Sequence, residues 1–182
     1  MRSINIRKMW SLPIAALLLS GSSLLGAPSA PATQLLEEVR SISHDLSREA
    51  ATLESYASGG RYWQTHAYQL HLAKQHINAI GERLTDLQAI RGTAEPWQQQ
   101  AIDSIVPVAE QLAARTQAAI VHLNESPRQL FAPSYKEHLS AIADHSDRMK
   151  QAVGVHLEMA STRDKLNGLQ DKVTSMELGN PS

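Results

Sequence analysis

One stretch constrains the fold of this chain more than any other. Trp63, His66, Leu70, Ala73, Ile77, Ile80, Leu84 and Leu87 recur in steps of three and four. That spacing puts them on one face of an α-helix, and a seam of this kind packs as knobs into holes against neighbouring helices. Three further segments repeat the pattern. Leu35, Val39, Ile42, Leu46, Ala50 and Leu53 form a stripe over 33–57, closed by Gly59-Gly60. Ile102, Ile105, Ala109, Leu112, Thr116, Ala119 and Leu123 follow Pro96, which is tolerated in a first turn because its missing N–H has no partner there. Tyr135, Leu139, Ile142, Ser146, Met149, Val153 and His156 form the fourth. Ser134 and Glu137 have the spacing of a capping box ahead of it. Long helices joined by short loops must be antiparallel neighbours, so the spacing predicts an all-α, up-down-up-down four-helix bundle over 33–160.

Composition agrees with packing by aliphatic helices alone. The chain is 42% hydrophobic but only 4% aromatic, and it has no cysteine. Disulfides, thiolate metal sites, thioether-linked haem, a lipoprotein anchor and a cysteine nucleophile are all excluded.

Residues 1–32 read as an export signal that is cleaved. Arg2, Arg7 and Lys8 precede an uncharged run from Trp10 to Leu25, and small residues follow up to Ala32. Ala30-Pro31-Ala32 fits the small-x-small rule for a cut before Thr33, with a cut after Ala27 as the alternative. The apolar run is about 16 residues, short of the ~20 of a membrane span. Losing these three of 17 basic residues leaves 14 against 18 acidic ones, a net charge near −4. Such a balance disfavours a nucleic-acid partner. The expected destination is the periplasm or the medium, with no span left after cleavage.

Two features interrupt the bundle pattern. Pro107 falls mid-helix, near the level of Gly81 and Gly154, so that layer is expected either to make room for a kink or to open a small ligand pocket. Leu166, Leu169, Val173 and Met176 carry a heptad stripe into a C-terminal tail, 161–182, beyond the ends of helices one and three. An amphipathic helix without a partner pairs with another chain, frays, or folds back. Self-association through this tail, or docking on an envelope protein, is the expected partnership.

Eight histidines are the one compositional hint of chemistry. No Glu has His three residues later, as a di-metal carboxylate bundle needs, and no two His stand three or four apart, as in a zinc protease. A tertiary site remains conceivable, since counting along antiparallel helices brings His66, His122, His138 and Glu54 to one end, beside Tyr56 and Tyr135. Either these hold Zn²⁺ or Cu²⁺, or His66 is a hydrogen-bonded boundary residue. Noncovalent haem would need His76 with Met149 or Met159, in a chain with no sign of a wide flat cavity. No cofactor is therefore expected. Neither a nucleophile elbow nor a glycine-rich phosphate loop occurs, and a non-enzymatic protein is the reading.

The run Trp63, His66-Ala67, Leu70, His76-Ile77-Asn78, Gly81 and Leu84, then Pro96-Trp97-Gln98-Gln99-Gln100-Ala101-Ile102-Asp103 and Pro107, resembles a group of uncharacterised exported bacterial proteins. Ala119-Ile120, Leu123-Asn124 and Pro133-Ser134-Tyr135 fit the same group. The resemblance covers about residues 35–160 and implies the helical bundle. No activity attaches to the group.

Overall fold

A computed structural model describes residues 30–59 and 62–178. They form α1 (Ala30–Gly59), α2 (Trp63–Ile90), a 3-10 turn (Arg91–Thr93), α3 (Pro96–Glu125) and α4 (Pro133–Leu178). Each helix packs on the next, and α4 closes the ring against α1. The chain is an antiparallel four-helix bundle, with no strand among the described residues. No described helix is long and apolar enough to cross a membrane. Most of the expected leader lies outside the described residues; its last three, Ala30–Ala32, are the first turn of α1, and Ala32 is packed in the core.

The core follows the α4 stripe closely: Tyr135, Leu139, Ile142, Ser146, Met149 and Val153 are all buried. On α2 the seam from His66 to Leu87 is buried apart from Ile77, which is half-buried, while Trp63 is largely exposed. On α1 the register shifts. Leu36 and Ser43 hold core positions, while their neighbours Leu35 and Ile42 pack on its flank. Ser43 is accommodated because its Oγ donates to the Val39 carbonyl (2.6 Å), and Ser146 does the same to Ile142 (2.6 Å). A hydroxyl satisfied one turn back on its own helix can sit among aliphatic groups without an orphaned donor.

The expected capping box at Ser134 does not form. Helix α4 starts at Pro133, whose fixed φ suits the first position, and the Lys136 N–H donates to the Ala132 carbonyl (3.1 Å). Ser134 is therefore inside the helix and exposed. The reciprocal cap lies on α3 instead, where the Glu95 N–H donates to Gln98 Oε1 (2.8 Å). Gln98 is itself buried, and its Nε2 donates to Thr33 Oγ1 (3.0 Å), tying the start of α3 to the start of α1. At the same end Arg91 makes a two-pronged bond to Asp103 (2.8 and 2.6 Å), which holds that carboxyl below the usual carboxylate range.

Candidate functional site

Two places in this fold could carry a function. The first is the end of the bundle where α1 meets α2 and α3 meets α4. Each helix sends one ring there: Tyr56, His66, His122 and Tyr135. Tyr56 stands edge-on to His66 (centroids 6.0 Å apart), His66 is tilted against Tyr135 (5.6 Å), and Tyr135 stacks on His122 (5.0 Å). His66 Nδ1 lies 3.1 Å from Tyr135 Oη, and both residues are sealed from solvent. Burial alone lowers the His66 pKa and raises that of Tyr135 well above its ordinary value, so the pair is neutral imidazole and phenol near pH 7. The other ring nitrogen, Nε2, is a buried atom with no hydrogen-bond partner among the described residues.

This geometry corrects the metal set. His66, His122, His138 and Glu54 share a height in the bundle, but their donor atoms do not converge. His66 is turned inward onto Tyr135. His122 lies against the same tyrosine ring, and its Nε2 donates to the Gln129 carbonyl (3.3 Å) in the α3–α4 connection. His138 has its Nδ1 buried without a partner, and burial, followed by the nearby Arg115 cation, lowers its pKa. Glu54 is half-buried on α1. Among the described residues no three His, Asp or Glu side chains group as metal ligands. The haem residues do not converge either: Met149 is in the core, Met159 is on the outside, and His76 pairs with Glu49 (3.2 Å).

The Pro107 layer is also different from its two expectations. Pro107 and Gly81 are exposed, and a Cβ placed on Gly81 or Gly154 would meet nothing within 4 Å. The glycines therefore make no room for a neighbouring backbone. The carbonyl that Pro107 deprives of its donor is that of Asp103, an exposed residue, where water can replace the lost bond.

The second place is α4 beyond the bundle. Residues 161–176 are exposed throughout. It leaves the bundle end along a shallow groove that Leu157, Ser161 and Lys165 line together with Thr33 and Trp97. From residue 162 to Leu178 the helix runs about 25 Å further, at 1.5 Å per residue. Leu166, Leu169, Val173 and Met176 are 55–72% exposed on it.

That stripe does not prolong the core seam, as the sequence pattern suggested. Stepping by sevens from Met149 and Val153 leads to His156 and Ala160, then Arg163 and Asn167, then Gln170 and Thr174, so the core columns turn polar once the bundle ends. Stepping back from Leu166 leads to Met159, and back from Leu169 to Thr162 and Val155. Val155 and Met159 are 53% and 60% exposed although the bundle still flanks them. Leu166 lies roughly 140° round the helix from Val153 at 100° per residue. Helix α4 thus carries two apolar seams, one facing in and one facing out, overlapping at residues 153–160. The signal was legible in Val155 and Met159, which fit no position of the inner stripe.

Compared with family models, with curated proteins and with solved structures, the chain finds no match.

Proposed function

We propose that this is an exported, non-enzymatic helical bundle that acts through protein–protein contact, and that the outer seam of α4 is the contacting surface. The observation that carries the reading is the exposure of Val155, Met159, Leu166, Leu169, Val173 and Met176 along one continuous stripe. Exposed apolar residues in isolation are ordinary, but a stripe of six at heptad spacing is the pattern of a helix that binds another helix. The N-terminal pattern of Arg2, Arg7 and Lys8 before an uncharged run supports export. The rings at the other end support a structural role, because they pack on one another and His66 bonds Tyr135 inside the bundle.

The test is the solution mass of the protein against that of a Leu166→Asp, Leu169→Asp variant. Both residues are exposed, so the bundle should fold unchanged, as helical circular dichroism would check. Light scattering should give an oligomer for the parent and a monomer for the variant. Equal masses for the two would sink the self-associating form of this reading.

A further inference from the structure

The chemistry of the outer seam is specific enough to name its occupant and the direction of pairing. We infer that it binds the same seam of a second copy, side by side and parallel, as a short two-stranded coiled coil. This rests on the reading above and deepens it.

The seam has heptad form. Met159, Leu166 and Val173 fall seven apart in one column; Val155, Thr162, Leu169 and Met176 fall seven apart in the other. In the usual notation the first column is a and the second d. A β-branched residue at a beside leucine at d, as in Val173 and Leu169, suits two strands rather than three or four. A partner helix needs the same column spacing, and this chain supplies one.

The flanking charges distinguish the two directions. Glu158, Lys165 and Lys172 occupy g positions, and Arg163 and Gln170 occupy e. These side chains are exposed, and the charged ones make no ion pair with any described residue. In a parallel pair each g faces the e five residues further on in the other copy. Glu158 then meets Arg163 of the second copy, and Lys165 meets a neutral Gln170, each twice by symmetry. An antiparallel pair with Leu166 over Leu169 of the second copy brings g against g. It sets Lys165 beside Lys172 of the second copy, also twice, and offers no compensating pair among these positions. Charge therefore selects the parallel arrangement.

Geometry permits it. The outer seam points away from the core of its own bundle, so two copies joined along it carry their bundles on opposite sides. The helix is also prepared for pairing: its first turns are fixed by bundle packing, so extension through residues 162–178 needs no new nucleation.

The test uses the absence of cysteine from the chain. Met176→Cys supplies a single thiol at a d position, exposed and remote from the bundle. In a parallel pair the two copies of residue 176 adjoin, and mild oxidation should yield a disulfide-linked dimer. In an antiparallel pair with Leu166 over Leu169 they stand about 25 Å apart, at 1.5 Å per residue, and no link forms. Asp171→Cys, facing away from the seam, is the control that should remain unlinked. Sedimentation equilibrium supplies the second readout. Glu158→Arg should weaken the dimer about tenfold by placing like charges together twice, and adding Arg163→Glu should restore it. Linkage at 176 with rescue by the double variant is the expected result. A dimer abolished by Leu169→Asp but not linked by Met176→Cys overturns the parallel arrangement while leaving self-association in place. A monomer at every concentration overturns both.

Discussion

Tyr135 Oη lies 3.1 Å from Nδ1 of His66, and this one contact joins α4 to α2 across the interior of the bundle. Neither side chain is exposed, and no described residue pairs with the other ring nitrogen of His66. The histidine is thus held neutral by burial.

Removing the hydroxyl should cost stability and little else. Tyr135→Phe leaves Nδ1 of His66 buried without a hydrogen-bond partner, a loss of about 1–3 kcal/mol. Urea denaturation should report it as a lower midpoint with unchanged helical circular dichroism. An unaltered midpoint would mean that the contact contributes nothing net.

Acid should weaken the fold through the same histidines. The pKa values of His66, His138 and His145 are all lowered, in each case first by burial. A lowered folded-state pKa means that the unfolded chain binds protons more readily. The stabilising contribution is complete above the ordinary histidine value of about 6.5 and is lost as pH falls through that value toward the folded one. Thermal scans should give a Tm that is flat from about pH 7 to 8 and declines below 6.5. In His66→Gln the decline should be shallower. A Tm that rises on mild acidification would contradict the assignment.

The register of α1 can be checked by truncation. Leu36 is fully buried whereas its neighbour Leu35 lies on the flank. Leu36→Ala should cost about 2–5 kcal/mol and Leu35→Ala roughly half of that or less. The reverse order would restore the stripe that starts at Leu35.

That doublet also illustrates how far the sequence could be read. Along α4 every core residue from Tyr135 to Val153 is flanked by polar or small neighbours, so periodicity fixes the inward face. On α1, Leu35-Leu36 and Ile42-Ser43 offer two phases 100° apart, and the aliphatic choice at 42 misleads because Ser43 satisfies its hydroxyl on Val39. Level counting placed His66, His122 and Tyr135 at one end correctly, because rise per residue is constant. It could not give facing, which depends on helix rotation, and so the histidines looked like ligands when two of them enclose a tyrosine. The stripe of the tail was visible, and Val155 and Met159, which fit no position of the inner stripe, carried its phase; their exposure shows that it faces out.

Glycine substitutions test the Pro107 layer. A Cβ at Gly81 or Gly154 meets open space, and both residues lie within helices. Gly81→Ala and Gly154→Ala should each stabilise the protein by about 0.5–1 kcal/mol, through helix propensity and a less free unfolded chain. Destabilisation by either would indicate a close approach at that layer.

The most direct measurement of the central claim, that the outer seam of α4 exists for association, is native mass spectrometry. The protein would be exported with its own leader, purified without chelators, and compared with the Leu166→Asp, Leu169→Asp variant. The predicted spectrum is a bare dimer of processed chains beginning near Thr33, reduced to monomers in the variant. A monomeric parent carrying a metal or an organic ligand would contradict the claim and turn attention to the His66 end.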